Sequence, residues 1–420
     1  MYDFYLNTII SIILTMIIER REIWELKKID KWILIYGRRK TGKTFLVENF
    51  LDYDEFFFVK RDRTIISKVD GKQIIYETFT SLLERALREN KTVVVDEFHR
   101  LGDDFLDLLQ YIPKRGKLIL ISSTLHTSKE LFKERSPILG FFAEFSLGLI
   151  SLEDTIRTLK KFKLGNKELV ELGILLREPI AIEYIRSGRN IRKIIATIVM
   201  SSVKTIPALV GEIFTEEERE LSAVYEGILR AIANKKQISS EISSYLFSRK
   251  LIKKDDPSLI QPYLGNLINF GLIKRIRVYG KNKFIYLLIS PLATIFYYAD
   301  EKYNISERRL SHREMERIID EIIPKIVEDN IRGLLSEKFA LEESIFEAKD
   351  FDIDVYLLRF KKPEIAVEIK WGEKFKKREI RRIKNNLKRT NAKRVILFVP
   401  DKEKIKSEDI EVIDILDLIK

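Results

Sequence analysis

Between Glu19 and Ser151, short apolar runs alternate with longer stretches whose apolar residues recur at helical spacing. Five runs are apolar enough to be buried strands: WILIYG (32–37), EFFFVKR (55–61), TVVVDE (92–97), KLILISS (117–123) and FFAEFSL (141–147). Residues 73–90 are typical of the amphipathic stretches between them. Buried parallel strands joined by crossover helices give this pattern. It predicts an α/β domain with a parallel sheet over residues 19–151.

Two further units follow, and their patterns differ. Residues 152–213 have helical spacing with almost no strand signal, so we expect a helical lid on the first domain. Residues 214–300 show three helical stretches and then two β-rich runs joined by a Gly-Lys-Asn turn at 280–282. Three helices and a β-hairpin predict a winged-helix domain.

The last unit, residues 301–420, mixes helices and strands again. A long helix opens it, and the strands FDIDVYLLRF (351–360) and EIAVEIKW (364–371) follow around a Lys-Lys-Pro turn at 361–363. A basic helical stretch, the strand RVILFVP (394–400) and an amphipathic end at 410–420 complete it. This order predicts a C-terminal α/β domain.

The chain begins with an apolar segment, residues 1–18, in which the run from Phe4 to Ile18 has 15 uncharged residues. Because about 20 apolar residues are needed to span a bilayer, and polar residues interrupt this run, we expect no membrane span. The run also lacks the flanks of a signal peptide. We interpret it as a strand or helix packed on the first domain, or as an extension that precedes a true start at Met16.

Composition narrows the chemistry. The 420 residues carry a net charge of +12 and a pI near 9.3, which favours an anionic partner such as nucleic acid over a merely lysine-rich surface. The absence of cysteine excludes disulfides, thiolate zinc sites and cysteine nucleophiles. A metal would therefore be a hard cation on carboxylates and hydroxyls, with Mg²⁺ the first choice, and the chain fits the cytoplasm.

The strand WILIY runs directly into GRRKTGKT (37–44), and a helical stretch follows. This spacing, G-x-x-x-x-G-K-[ST], lets a loop backbone wrap phosphates. Gly37 and Gly42 allow the close wrap, Lys43 reaches the β and γ oxygens, and Thr44 offers its hydroxyl to Mg²⁺. The residues between the glycines belong to the same cradle: Arg38, Arg39, Lys40 and Thr41. The motif predicts binding of ATP with Mg²⁺.

Two adjacent carboxylates end the strand TVVVDE, about fifty residues later. Asp96 is predicted to hold the Mg²⁺ shell and Glu97 to polarise the attacking water, the two tasks that hydrolysis requires. An acidic pair at a strand end is common by itself. Together with the loop at 37–44, this pair predicts an ATPase.

Several segments along the chain after Met16 are similar to those of one known family: REIWEL (21–26), GRRKTGKT (37–44), VVVDEFHRL (93–101), LILISSTL (118–125), SPILG (136–140), LREPIAIEYI (176–185), NLINFGLIKRI (266–276) and SPLATIFYY (290–298). In these segments the chain resembles the archaeal ATPases of the AAA+/STAND-related group. Members of that group often carry a C-terminal nuclease-like domain of the DUF234 type. The resemblance implies that the first domain is a P-loop domain of the AAA+ type.

The resemblance places Ser123, at the tip of the fourth strand, where it senses the γ-phosphate; a serine that caps a turn is the alternative. Family members commonly have an arginine just after the segment that matches SPILG, where a neighbouring subunit's phosphates are contacted. Here Phe141 and Phe142 follow instead, although Arg135 lies close by. This departure predicts weak or partner-dependent hydrolysis and leaves room for an ATP-dependent homo-oligomer.

The hairpin of the winged-helix unit is basic. Residues 275–283 contain four cations that suit contacts with DNA phosphates: Arg275, Arg277, Lys281 and Lys283. The third helix, in contrast, has few side chains able to recognise bases. The unit is interpreted either as a DNA contact or as a packing module that relays the state of the ATPase.

The triplet Glu-x-Lys recurs in the chain, but only Glu368–Lys370 lies inside an apolar strand. Across the preceding turn, Asp354 falls opposite Glu368 or Lys370, depending on register. Two carboxylates can bind Mg²⁺ that activates water, while the lysine stabilises the phosphate. The pattern resembles the D-(x)n-E-x-K core of restriction-endonuclease-like, PD-(D/E)xK, folds. That resemblance also implies an upstream helical glutamate, which is Glu328 here, with Glu337 as the fallback.

Residues 371–394 hold 11 Lys/Arg and 2 Glu. Beside a carboxylate site such a stretch suits a DNA backbone, although a solvated basic helix is the alternative. Two hypotheses follow. The chain is an ATPase that controls a metal-dependent DNA nuclease, or it is a non-catalytic ATP-gated switch, as in STAND regulators, or a DNA-binding protein, with an inactive nuclease fold.

Overall fold

The computed structural model describes residues 17–123, 140–183, 190–216, 221–372, 377–405 and 410–419. Arg135, Met16 and most of the apolar N-terminal run lie outside these ranges, so the predictions made for them stay predictions. Two seven-stranded sheets organise the described residues. The loop at 37–44 follows a strand of the first sheet, and Glu368 lies on a strand of the second.

The first sheet has the order β4-β3-β2-β5-β6-β1-β7. Its strands are β1 (Trp32–Tyr36), β2 (Glu55–Val59), β3 (Ile65–Ser67), β4 (Lys72–Ile74), β5 (Thr92–Asp96), β6 (Lys117–Ser122) and β7 (Phe142–Ser146). The pairs along β2-β5-β6-β1-β7 are parallel, whereas β3 and β4 add antiparallel strands at one edge. Because β6 lies between β1 and β5, the carboxyl ends of these three strands meet at one edge of the sheet.

Helices cover both faces of this sheet. They are α1 (Glu22–Lys27), α2 (Lys43–Phe50), α3 (Tyr76–Arg88) and α4 (Asp103–Tyr111). On β1, Leu34 packs with buried residues of α3 and α4, whereas Ile33 and Ile35 pack with those of α1 and α2. The predicted parallel α/β sheet is confirmed. The hairpin β3–β4 was missed because strands of three residues show too little alternation to be recognised.

The described residues between 152 and 216 are mainly helical, in agreement with the helical spacing of residues 152–213. The helices are α5 (Leu152–Leu159), α6 (Asn166–Leu175), α7 (Pro179–Glu183), α8 (Ile191–Ser201) and α9 (Thr205–Glu216). Ser151 and Asn190 accept backbone N–H hydrogen bonds at the starts of α5 and α8, which satisfies two otherwise open helix ends. Within the described ranges no single helix is long and apolar enough to cross a bilayer; only residues 191–201 and 205–215, counted together across a 53° bend, meet that test.

Three helices and a hairpin follow, also as predicted: α10 (Ala223–Ala233), α11 (Ser239–Ser248), α12 (Gln261–Asn269), β8 (Ile273–Val278) and β9 (Phe284–Leu288). β8 and β9 pair antiparallel. On its other edge β8 pairs in parallel with β10 (Glu342–Glu347), a strand that the sequence pattern did not reveal. The hairpin is therefore part of the second sheet rather than a projecting wing.

The second sheet has the order β14-β13-β12-β11-β10-β8-β9. Its remaining strands are β11 (Asp352–Arg359), β12 (Lys362–Ile369), β13 (Arg394–Phe398) and β14 (Glu411–Ile413). The helices of this part are α13 (Pro291–Tyr303), α14 (His312–Phe339), α15 (Lys377–Lys388) and α16 (Ile415–Leu418). Ser311 and Glu314 form a capping box that starts α14, whose 28 residues pack one face on the sheet.

The turn between β11 and β12 lies earlier than predicted. Arg359 pairs with Lys362, so the turn consists of Phe360 and Lys361, and Pro363 belongs to β12. Both turn residues have positive φ, 49° and 64°. Two-residue turns of this handedness match the twist of the strands that they connect, and they normally contain Asn or Gly.

The largest apolar core runs from the lid helices through α10–α14 to one face of β11–β13. α15 covers the other face of these strands. The predicted borders at 213/214 and 300/301 fall inside α9 and α13, respectively. The lid, the hairpin unit and the C-terminal unit therefore share one core.

Candidate phosphate-loop site and C-terminal carboxylate cluster

The backbone of residues 37–44 has the conformation that a phosphate cradle requires. Gly37 has φ 153° and Gly42 has φ 86°, and a Cβ on Gly37 would come within 2.2 Å of the Leu147 carbonyl oxygen. Lys40 also has positive φ, 62°. At the positions of Gly37 and Gly42, any residue other than glycine would be strained or would clash. The loop then enters α2, whose N-terminus favours an anion.

Lys43 is buried, with 6% of its surface exposed, at the centre of this loop. Its Nζ donates to the carbonyl oxygens of Gly37 at 2.7 Å and Arg38 at 2.9 Å. The ammonium group is thus held inside the cradle. There, phosphate oxygens would replace the two carbonyl oxygens as its hydrogen-bond acceptors.

The structure brings Thr44, at the start of α2, to Asp96, the last residue of β5. The Thr44 hydroxyl donates to Asp96 Oδ2 at 2.8 Å. Asp96 is 1% exposed, and in the described part of the chain its Oδ1 has no hydrogen-bond partner. Burial, with the like charge of Glu97, raises the pKa of Asp96 to about 6. An unpartnered buried carboxylate oxygen beside a hydroxyl fits Mg²⁺, which prefers such oxygen ligands.

Glu97 follows β5 in the left-handed region, φ 58°, which turns its side chain toward the tip of β6. Its Oε2 accepts a hydrogen bond from the Ser123 hydroxyl at 2.9 Å and faces Arg100 Nη2 at 3.1 Å. His99 Nε2 lies 3.5 Å away, and burial lowers the pKa of His99 to about 4. The structure therefore brings Ser123 to Glu97, and both Ser123 and Arg100 restrain this carboxylate.

Lid residues reach the loop through Glu178, which the sequence did not single out as a site residue. Its Oε2 lies 3.5 Å from Arg38 Nη2. Its Oε1 accepts hydrogen bonds from the Ser290 hydroxyl at 2.7 Å and the Leu292 N–H at 3.0 Å, at the first turn of α13. A second, more exposed pair joins Arg39 to Glu212 at 3.8 Å. Glu178 thus connects the phosphate loop to the hairpin unit.

An apolar cavity of about 310 Å³ adjoins Thr41 and Gly42. Its apolar lining comes from the start of the described chain, α2 and the lid: Ile17, Ile18, Phe45, Leu46, Phe50, Ile150, Pro179, Ile180 and Ile182. Arg20, which is buried, donates to the Thr41 carbonyl oxygen at 2.8 Å. No local motif marks these residues, because they come together only when the lid packs on the first sheet.

The C-terminal carboxylates also meet. Val355 pairs with Val367, and this register places Asp354 opposite Glu368, one of the two predicted arrangements. Asp354 Oδ2 accepts the Ile369 N–H at 2.8 Å, and Lys370 Nζ lies 2.8 Å from Glu368 Oε1. Glu368 Oε2 is buried without a hydrogen-bond partner among the described residues.

The pKa values of the two carboxyl groups are raised. Burial, with the like charges of Glu328 and Glu368, raises the pKa of Asp354 to about 8. Burial also raises the pKa of Glu368, against the opposing effect of Lys370. Like charges held together where solvation is poor favour the binding of a cation. A cation would remove both the repulsion between the carboxylates and the cost of burying their charge.

Glu328 lies near Asp354 but is held by cations. Lys325 Nζ is 2.6 Å and Arg332 Nη2 is 2.7 Å from its carboxylate. Arg332 is fully buried and also donates to the Asp354 carbonyl oxygen at 2.8 Å. Glu337, the fallback, pairs with Arg21 of the first domain instead. Within the described ranges, no three acidic or histidine side chains converge as a ready-made metal site.

The two basic stretches differ in their partners. In the hairpin, Lys281 and Lys283 pair with Glu347 of β10 at 3.0 and 2.8 Å. Two of the cations that were predicted to contact DNA in residues 275–283 are therefore paired within the protein. On α15 four exposed cations have no ion pair within the described chain: Arg378, Arg381, Arg382 and Lys388. Residues 373–376 of the predicted stretch 371–394 lie outside the described ranges.

Fold and site together define an α/β P-loop domain with a parallel sheet. Residues 30–152 match the family model of the AAA domain. This part of the chain is therefore similar to AAA+ P-loop ATPase domains, and the match leaves the remainder unassigned. A comparison with curated protein sequences found no match.

Three solved structures are similar at low identity. The Aeropyrum pernix ORC2 protein in ADPNP–ADP complexes has 14% identity and a TM-score of 0.36, with 78% of this chain and 94% of that chain covered. The ORC1 protein of the same organism in complex with DNA has 15% identity and a TM-score of 0.34, covering 71% and 98%. A STAND protein with a tetratricopeptide repeat sensor from Pyrococcus horikoshii has 12% identity and a TM-score of 0.30, covering 77% and 51%. These values are too low to support a conclusion about function.

Replacement of Asp96 by Asn separates the burial penalty from metal binding. We expect the nucleotide-free Asp96→Asn protein to be more stable than wild type by about 1 kcal/mol, because a neutral amide is easier to bury than a carboxylate. Wild type should gain about 2.7 kcal/mol at a MgATP concentration of one hundred times Kd, and the variant should lose most of this gain. Chemical denaturation at pH 7.5 with and without MgATP measures both, with the exposed Asp107→Asn as control. A variant stabilised by MgATP as much as wild type would contradict the assignment.

Proposed function

We propose that this chain binds MgATP at the loop of residues 37–44 and hydrolyses it, and that the state of this site controls a DNA-directed C-terminal unit. The observation that carries the ATPase assignment is the contact of Thr44 with Asp96, whose second oxygen is buried without a partner in the described structure. Mg²⁺ held by Thr44 and Asp96 would neutralise charge that develops on the phosphates.

The chain's own groups account for the other requirements. Lys43 and the loop N–H groups bind the β and γ phosphates. The cavity beside Thr41 and Gly42 has the apolar walls that a nucleotide base requires. Glu97 orients the attacking water and takes its proton as the new oxygen–phosphorus bond forms and the γ-phosphate leaves the bridging oxygen. For this Glu97 must part from Ser123 or Arg100, which suits slow, regulated turnover.

Glu178 is proposed to transmit the state of the phosphate loop. Arg38 faces Glu178 across 3.5 Å, and a γ-phosphate would compete for the same guanidinium group. Any change in Glu178 reaches α13 through Ser290 and Leu292. The lid also holds the C-terminal strand end, because Trp371 Nε1 donates to buried Glu171 at 2.9 Å. Residues 214–300 then act as a winged-helix relay rather than through a free wing.

For residues 301–420 we propose a restriction-endonuclease-like domain that acts on DNA. Asp354 and Glu368 would hold Mg²⁺, which fits the buried unpartnered oxygen of Glu368. Mg²⁺ there would supply Lewis-acid activation of water and phosphate. Lys370, which now pairs with Glu368, would stabilise the phosphate charge, and Glu328 would support Asp354 through Arg332. The exposed cations of α15 that have no ion pair within the described ranges would bind the backbone of the same DNA.

The alternative is a non-catalytic, ATP-gated switch with an inactive nuclease fold. Such a switch would also be compatible with a homo-oligomer that forms when ATP binds. The observation that favours it is that the acidic residues already form ion pairs. Lys370 pairs with Glu368, and Lys325 and Arg332 pair with Glu328. In this alternative these pairs are permanent, and the C-terminal unit only binds DNA or a partner.

Two substitutions test the ATPase. Lys43→Ala should weaken ATP binding about ten- to a hundredfold, because a charged hydrogen bond to phosphate is lost. Glu97→Gln should bind ATP like wild type and hydrolyse it about a hundredfold or more slowly, because the base is gone. Equilibrium titration with a fluorescent ATP analogue and phosphate-release kinetics measure the two effects. Unchanged turnover in Glu97→Gln would refute its role.

Glu178→Gln tests the relay. Glutamine can still accept from Ser290 and Leu292 but no longer carries the charge that faces Arg38. We expect MgATP to change hydrogen exchange in residues 290–296 of wild type, and this change to be lost in the variant although ATP binding persists. Glu212→Gln, at the more exposed pair with Arg39, is the matched control. An equal response of Glu178→Gln and wild type would exclude the relay.

Glu368→Ala distinguishes a nuclease from a switch. Wild type should nick or linearise plasmid DNA with Mg²⁺ or Mn²⁺, and the variant should fall to the background rate because one of two metal-binding carboxylates is missing. Glu89→Ala is the control, since Glu89 belongs to another Glu-x-Lys triplet and pairs with Lys91 on the surface. Absence of cleavage by wild type across supercoiled, linear and single-stranded DNA, with and without ATP, would favour the switch.

A further inference from the structure

The strand end that carries Lys370 is attached to the lid. Trp371 directly follows Lys370, and its indole Nε1 donates to Oε1 of Glu171, on α6, at 2.9 Å. Trp371 is 8% exposed and Glu171 is 4% exposed, so this hydrogen bond is made away from water. A hydrogen bond to a carboxylate is stronger than one between neutral groups. The lid therefore has a firm contact at the residue next to a proposed nuclease residue.

The lid side of this contact is itself fixed. Arg192, at the start of α8, donates from Nη2 to Glu171 Oε1 at 3.1 Å, and its Nη1 lies 3.1 Å from Oε2. Its Nε lies 2.8 Å from Asp320 on α14. Arg192 thus sets the orientation of the Glu171 carboxylate. Any movement of α6 relative to the second sheet would strain or break the hydrogen bond to the indole.

Trp371 in turn restricts Lys370. The indole ring stacks on that of Phe398, the last residue of β13, with 6.3 Å between ring centroids and 9° between the planes. The Lys370 N–H donates to the carbonyl oxygen of the same Phe398 at 2.9 Å. With its backbone held here, Lys370 Nζ lies 2.8 Å from Glu368 Oε1. The arrangement that binds the lid is thus the one in which Lys370 pairs with a proposed metal ligand.

We propose that the Glu171–Trp371 hydrogen bond is an inhibitory contact, through which the lid keeps Lys370 on Glu368 and withholds this carboxylate from a metal ion. This inference rests on the proposed metal site of Asp354 and Glu368. When the lid moves in response to nucleotide, the indole is released, residues 370–371 shift, and Lys370 leaves Glu368. Both oxygens of Glu368 are then open to Mg²⁺, and the lysine is available to the phosphate. Glu171 and Trp371 are positioning residues, since neither touches metal or substrate.

Mn²⁺ binding tests the inhibitory contact without reference to cleavage. All proteins are full-length and carry Asp96→Asn, so that the first site does not contribute, and electron paramagnetic resonance measures free Mn²⁺. Trp371→Phe keeps an aromatic ring on Phe398 but removes the donor. This variant should bind Mn²⁺ about tenfold more tightly than its parent, the effect of one hydrogen bond to a charged group. Adding Glu171→Gln should give no further gain, because both changes remove the same contact.

Trp32→Phe is the matched control. It removes another buried indole, whose Nε1 donates to the Gly116 carbonyl oxygen at 3.0 Å in the first domain, and it should leave the Mn²⁺ affinity unchanged. A tighter affinity in Trp371→Phe cannot come from partial unfolding, because unfolding would separate the carboxylates. An equal or weaker affinity would refute the inhibitory contact and leave the metal site in place. If Glu368→Ala does not abolish Mn²⁺ binding by the parent, the proposed metal site and the inhibitory contact are both refuted.

Fluorine NMR tests the release by nucleotide. The chain has three tryptophans, Trp24, Trp32 and Trp371, so labelling with 5-fluorotryptophan gives three signals, and Trp371→Phe identifies one of them by its loss. MgATP should move the Trp371 signal of wild type toward that of Trp24, which is 61% exposed, and it should have no effect in Lys43→Ala. An unchanged Trp371 signal in wild type saturated with MgATP would refute the release.

Discussion

The parallel pairing of β8 with β10 is the contact on which the arrangement of this chain depends. It joins a hairpin of the middle unit to the strands of the C-terminal unit, so that one sheet extends from β9 to β14. Because α14 packs against this sheet and against the lid, a single apolar core connects the lid with the strands that carry Asp354 and Glu368. In the proposed relay, this core would transmit a shift of the lid on the first sheet to the second sheet. The same pairing brings Glu347 to Lys281 and Lys283 and removes these cations from the surface that DNA could contact.

Both proposed metal sites follow one physical rule. Strand ends place carboxylates side by side where water is largely excluded, and the pKa of Asp96 and of Asp354 rises in consequence, to about 6 and about 8. Each cluster retains one buried carboxylate oxygen without a partner in the described structure, on Asp96 and on Glu368. They differ in what surrounds the acids. Thr44 supplies a neutral hydroxyl to Asp96 at the first site, whereas Lys370 pairs with Glu368 at the second. The first site is thus better prepared for a metal ion, and the second must give up an ion pair.

Sequence patterns identified the contacts that are short in the chain or enforced by strand geometry. The spacing of residues 37–44 after an apolar strand was sufficient to predict the cradle, and the match of residues 30–152 to the AAA domain agrees with it. Strand alternation placed Glu368 and Lys370 together but left the register of Asp354 open, since a turn shifted by one residue changes every pair. Glu178 and Arg20 could not be found, because their partners lie far away in sequence and no motif connects them. The exposed cations of the hairpin looked available for the same reason, since their acidic partner belongs to a strand more than sixty residues later.

The amino-acid sequence by itself determined the parallel α/β domain, the phosphate loop with its acidic strand end, and the pairing of Glu368 with Lys370. These features depend on hydrophobic periodicity and on local backbone geometry, and both are determined by residues that are close together in the sequence. Only the tertiary structure decided that the hairpin belongs to the second sheet, that Arg332 of α14 reaches the Asp354 carbonyl oxygen, and that Glu178 joins the phosphate loop to α13. Each of these depends on which distant surfaces pack together. That choice reflects the summed burial of many residues rather than any local pattern.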